Sequence, residues 1–154
     1  NLSSLFVPPQ SGGMEINMRV YIASKYIAHK ELNRKIYEEL VHAEIPAFLP
    51  ESINMDAIDS EKSLIVAESC FNEIEKCNII LAVCPFGKSV SSELGYAIAL
   101  RRVLKQKKII IALNLDFEKE AMLIPYVDKA FENIRECIEY LKQLGTVAAS
   151  QKIL

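Results

Sequence analysis

The chain has 154 residues and a formal charge of −2, with 51% apolar and 25% charged residues. That length fits one ordinary domain, which buries about 68–70% of the surface its unfolded form would expose. Interspersed charges leave no basic footprint for a polynucleotide, and no apolar run nears the roughly 20 residues of a membrane span. Neither a nucleic-acid polymer nor a membrane is therefore expected as a partner.

Residues 1–17, with paired prolines and paired glycines and no charged stretch before a long apolar one, read as a leader or appended tail outside the fold. The run 18–24, MRVYIAS, is a short β-rich apolar strand, and from His29 the residues Leu32, Ile36, Leu40 and Val41 recur at helical spacing. A second brief strand covers 45–50, closed by Pro50. A helix over 58–76 follows, with Ile65, Phe71 and Ile74 on one stripe. The purest apolar run, 78–84, predicts a central strand covered on both faces.

A helix over 91–105, a strand over 108–113, a short strand near Ala130 and a helix over 133–144 complete the pattern, with 147–154 as a tail. Alternating strands and helices predict a single-domain α/β fold from 18 to 146. It is a doubly wound, mostly parallel five-stranded sheet with helices on both faces, Rossmann- or flavodoxin-like. In such a sheet ligands gather at the carboxyl ends of the strands, near the point where strand order reverses. The segments to search are 23–28, 50–60, 84–92 and 114–120.

Cys70, Cys77, Cys84 and Cys137 form no CxxC pair, and the first three lie in or beside apolar segments as reduced cytoplasmic cysteines do. His29 and His42 lack a second ligand pair, so no metal is expected. Neither GxGxxG nor GxxxxGK[ST] occurs, and the run RRVLKQKK reads as solvated charge at a helix end.

Glu93 opens the stretch ELGYA. If Ser89 or Ser91 caps the helix, it falls in the first turn, where a carboxylate complements the helix dipole. It also stands over the strand ends, where an ionised carboxylate can attack an anomeric carbon and form a covalent glycosyl intermediate. Tyr96, three residues on, falls near the same face, either in the core or against the Glu93 stem lining a base pocket.

VYIAS with Tyr21, FLP in the second strand, EKCN leading into IILAVC, ELGYA, and the final VDKAFENIRECIEYL together resemble the nucleoside 2-deoxyribosyltransferases. Their relatives, the 2′-deoxynucleoside 5′-phosphate N-hydrolases, share the resemblance, which spans residues 19–144. It implies that Glu93 is the nucleophile, that Tyr21 orients it, that no cofactor is used, and that the substrate is a small nucleoside or nucleotide. It also implies a homodimer or higher homo-oligomer in which a neighbouring copy contributes the segment of Glu120 and Met122.

The pattern departs from the transferases where they carry auxiliary aspartates: Cys70 and Gly87 stand there, and Asn78 replaces the acid that opens the third strand. Glu68 or Glu73 would be the substitute acid. Loss of the loop aspartate resembles the monophosphate hydrolases. There Ser24, Lys25, Gly87, Lys88, Ser89 and Ser91 would cradle a 5′-phosphate, the alternative being an ordinary polar turn. Two other readings stay open: a TIR-like NAD glycohydrolase, and a nucleotide-binding domain that has lost catalysis.

Overall fold

The structure, a computed structural model, describes residues 18–50, 60–114 and 121–150. The expected leader, the loop 51–59 and the segment 115–120 with Glu120 lie outside the described residues.

Five strands, β1 (Val20–Ala23), β2 (Ala47–Phe48), β3 (Ile79–Val83), β4 (Ile109–Leu113) and β5 (Lys129–Phe131), form one sheet in the order β2-β1-β3-β4-β5. All four pairings are parallel. The doubly wound α/β sheet expected from the sequence is thus observed, with its reversal point between β1 and β3.

Alternation along each strand sorts the apolar residues into two cores. Val20, Ile22, Ile79, Leu81 and Val83 face α1 (Lys30–His42) and α4 (Ile134–Ser150), which contribute Ile36, Leu40, Cys137 and Leu141. Tyr21, Ala23, Ile80, Ala82 and Ile110 face α2 (Ser60–Lys76) and α3 (Lys88–Arg102), which contribute Cys70, Ile74, Val90, Leu94 and Ala97. Among the described residues no helix is long and apolar enough to cross a membrane.

The register places Ala23 beside Ala82, Ala82 beside Ala112 and Ala112 beside Ala130. Partners in a parallel register share a face, so a row of methyls crosses the α2/α3 face near the carboxyl edge of the sheet. Larger side chains there would fill the space beneath the start of α3.

Two helix boundaries differ from expectation. α3 begins at Lys88, with Gly87 as its N-cap, because Ser91 Oγ donates to the Gly87 carbonyl (3.0 Å) from inside the helix. Neither Ser89 nor Ser91 is the cap. α4 runs through Gly145 to Ser150, so 147–150 of the expected tail are helical. A Cβ at Gly145 would lie 3.3 Å from Met18 Cε, so this glycine serves a close approach and does not end the helix.

Candidate active site

Moving the start of α3 back to Lys88 carries Glu93 out of the first turn, where there is no acidic residue. The dipole account of Glu93 therefore fails, since the charge effect is confined to the terminal turn. Glu93 instead points inward from the second turn toward the sheet, and Tyr21, fully buried on β1, donates its hydroxyl to Glu93 Oε1 at 2.8 Å. The other oxygen, Oε2, is buried and has no hydrogen-bond partner among the described residues.

Burial pushes the Glu93 carboxyl up to about 7, and the Tyr21 hydrogen bond pulls against it. Tyr21 is raised far above the ordinary phenol range by burial, by the Glu93 charge and by Cys70, so it stays protonated. Phe48 of β2 stacks on its ring, centroids 5.7 Å apart and planes 22° apart. Cys70, from α2, is 8% exposed and belongs to the same buried core cluster as Tyr21. Burial above all, and the Glu93 charge, raise its thiol. The residue that stands in the place of a family aspartate, Cys70, is thus buried on the same face of the sheet as Tyr21.

Around the rim, the loops after β1 and β3 meet. A Cβ at Gly87 would lie 3.4 Å from Lys25 Cε, so the Lys25 stem crosses Gly87 at the uncapped amino end of α3. The Lys25 carbonyl accepts from the His29 N–H (3.2 Å) and the Asn33 carboxamide (3.1 Å), which ties down the loop. Ser24 Oγ lies 3.1 Å from His29 Nδ1. Lys88 and Ser89 are exposed in the first turn of α3, and Ser91 carries the helix-internal bond already described. Ser24 and Lys25, after β1, thereby adjoin Gly87 and the start of α3 with Lys88, Ser89 and Ser91, through the approach of Lys25 to Gly87.

His29 was set aside in the sequence because its spacing fits no metal. Its place next to Ser24 comes from the turn that lets it precede α1, which spacing alone does not disclose. Burial and Lys25 lower its pKa.

Other expected participants are engaged elsewhere. The Tyr96 hydroxyl is hydrogen-bonded to Glu75 and its ring packs on Phe71 (4.7 Å), so the phenol is held between α2 and α3 instead of on Glu93. Glu73 pairs with Lys76 and with Arg19, which precedes β1, and so lies at the amino edge, opposite the loops. Glu68 is exposed on the outer groove of α2 with Leu64 and Asn72. Neither glutamate joins the site as the substitute acid. Asn78 also belongs to the amino edge, its Oδ1 accepting the Arg19 N–H at 2.9 Å. Met122 is 86% exposed. Among the described residues no cluster of ligating side chains could hold a metal ion.

No family model and no curated protein sequence matches the chain. Solved structures do. The 2-deoxyribosyltransferase from the psychrotolerant bacterium Bacillus psychrosaccharolyticus superposes with a TM-score of 0.66 at 14% identity, over 78% of this chain and 90% of that one. A conserved protein from Enterococcus faecalis gives 0.59 at 16% identity, over 82% and 98%. The CMP N-glycosidase of Clostridium botulinum gives 0.50 at 19% identity, again over 82% and 98%. The resemblance read from the motifs is thus matched at the level of the fold.

Proposed function

We propose that the chain cleaves or exchanges the N-glycosidic bond of a (deoxy)nucleoside or its 5′-monophosphate, with Glu93 as nucleophile. The observation that carries this reading is the divided state of the Glu93 carboxyl: Oε1 is held by Tyr21, and Oε2 is buried with no partner among the described residues. A desolvated oxygen with a free lone pair, oriented through its twin, is equipped to attack an electrophilic carbon. The fold shared with a 2-deoxyribosyltransferase and a CMP N-glycosidase supports the choice of an anomeric carbon.

In the first step a lone pair of Oε2 forms a bond to C1′ as the C1′–N bond breaks, its electrons leaving with the base. Water or a second base then displaces the glutamyl ester from the opposite side, so configuration is retained overall. No cofactor takes part. Lys25, Lys88 and the amino end of α3 attract a 5′-phosphate, with Ser24, Ser89 and Ser91 as hydroxyl contacts. A second copy of the chain covers the open side, presenting the exposed Met122.

Incubating the protein with deoxynucleosides, their 5′-monophosphates and NAD, and following released base by chromatography, tests this reading. Base release from a deoxynucleoside or its monophosphate, lost by at least about a thousandfold in Glu93→Ala, is expected. Cleavage of NAD alone would point to an NAD glycohydrolase, and undiminished turnover in Glu93→Ala would remove Glu93 from the chemistry. The second reading, nucleotide binding without catalysis, is favoured by Cys70 and Gly87 standing where transferases carry acids. It predicts monophosphate binding by calorimetry with no base released.

A further inference from the structure

His29 is held by its main chain on both sides: its N–H donates to the Lys25 carbonyl (3.2 Å), and its carbonyl accepts from the Asn33 N–H (2.8 Å). As the N-cap of α1 it makes no side-chain capping bond, and its half-buried imidazole instead places Nδ1 3.1 Å from Ser24 Oγ. Lys25, between them in the chain, lays its stem against Gly87 at the amino end of α3, and Lys88 follows Gly87. A hydroxyl and an imidazole in contact, with Lys25 beside them and Lys88 beyond Gly87, thus stand past the carboxyl end of β1. Among the described residues no carboxylate pairs with either lysine.

The Ser24 hydroxyl has one proton, and where that proton goes depends on His29. When Nδ1 is bare, the hydroxyl donates to it and turns only lone pairs outward, which repel an anion. When Nδ1 carries a proton, it donates to Oγ, and the Ser24 proton is free to reach an anionic oxygen. An anion at Ser24 therefore selects protonated Nδ1, and its charge favours imidazolium over the neutral tautomer. In the free protein burial, and then Lys25, hold the His29 pKa below the ordinary imidazole range, so the ring is uncharged at neutral pH. A dianion beside Lys25 offsets the charge that holds it there.

We propose that His29 is a positioning residue that couples the binding of a tetrahedral dianion, the 5′-phosphate of a nucleotide, to uptake of a proton from solvent. The imidazolium donates to Ser24 Oγ and turns the Ser24 proton toward the ligand. Because binding raises the His29 midpoint, affinity is full below the free midpoint and is lost as pH rises through the bound one. The inference rests on the proposed docking of a 5′-phosphate at this edge, yet its test requires no turnover.

Sulfate, which stays dianionic across the neutral range, is the probe. It is titrated into the parent and into Glu93→Gln, which removes the carboxyl that burial brings to about 7. Imidazole NMR follows His29, assigned by the loss of its signals in His29→Asn, with His42 at the far end of α1 as internal reference. Sulfate should raise the His29 midpoint by about one unit, and its affinity should fall about five- to tenfold between about pH 6 and 8. A 2′-deoxynucleoside 5′-monophosphate should give the same shift at lower concentration, and the nucleoside without phosphate should give none. His29→Asn, whose carboxamide keeps a permanent donor near the Nδ1 position, should bind sulfate with an affinity that ignores pH. Ser24→Ala should lose most of the midpoint shift. An unmoved midpoint in the parent, a shift produced by the nucleoside alone, or a shift kept in full in Ser24→Ala would each overturn the proposal. Base release with an unmoved midpoint would defeat this coupling and spare the reaction. A moved midpoint in a protein that releases no base would sustain the coupling and defeat only the reaction.

Discussion

Glu93 is the residue whose energetics most directly separate function from folding. It sits in the second turn of α3, beyond the N–H groups that compensate a first-turn acid, and among the described residues its side chain is hydrogen-bonded by Tyr21. Burial accordingly raises its carboxyl from the ordinary 4.5 to about 7. At about 1.4 kcal/mol per unit this corresponds to a folding cost on the order of 3 kcal/mol once the group is ionised. The sign follows from proton binding: between about pH 4.5 and 7 the folded chain holds more protons than the unfolded one, so stability falls as pH rises through that window. Glu93→Gln should therefore be more stable than the parent by about 2–3 kcal/mol at pH 8, with the gap closing toward pH 4.5. Urea unfolding at several pH values measures it; a gap that ignores pH would mean that no buried charge is removed. Glu93 itself was legible from ELGYA and Tyr21 from the strand, but the burial of Cys70 on the Tyr21 face depends on how α2 is rotated against the sheet.

At the scale of elements, two helix ends are closed by unusual residues. After α1 the Glu44 N–H donates to the Val41 carbonyl and the Ile45 N–H to the Leu40 carbonyl, a Schellman arrangement with Glu44 at φ 58° in the glycine position. A side chain in that conformation costs about 1–2 kcal/mol, so Glu44→Gly should stabilise the fold by about 1 kcal/mol after the added backbone entropy, visible as a raised urea midpoint. At the end of α2, Lys108 Nζ donates to the carbonyls of Ile74 (2.6 Å), Glu75 (2.8 Å) and Cys77 (2.6 Å). Lys108→Met keeps the stem and strands these acceptors, and a loss of about 3 kcal/mol is expected in the same measurement. Sequence alone set Lys108 among solvated cations of the run RRVLKQKK, because what distinguishes it, its burial at 6% exposure, comes from β4 passing the foot of α2. The start of α3 was missed for a related reason: Ser91, which resembles a cap, bonds back to the Gly87 carbonyl from inside the helix.

At the scale of the molecule, the alternation of strands and helices was enough to predict the sheet, and its order then places the Tyr21 loop beside the Gly87 loop. The alanine row was visible in the strings VYIA, IILAV, IIIAL and KAF, but only the register reveals that these methyls adjoin across four strands. Because the site joins elements far apart in the chain, a ligand that binds it stabilises the whole fold. A 5′-deoxynucleotide at a hundred times its Kd adds about 2.7 kcal/mol, and a calorimetric scan should show Tm rising by roughly 5–10 °C. No rise with any deoxynucleotide would argue against a nucleotide site. The outermost ladder, β2, consists of two residues, yet one of them supplies the ring that covers Tyr21. Fraying of so short a margin uncovers the phenol and admits water toward the Glu93 carboxyl, drawing its acidity back toward that of a surface group. The protonation of Glu93 is thereby tied to the integrity of the sheet's edge through the ring of Phe48.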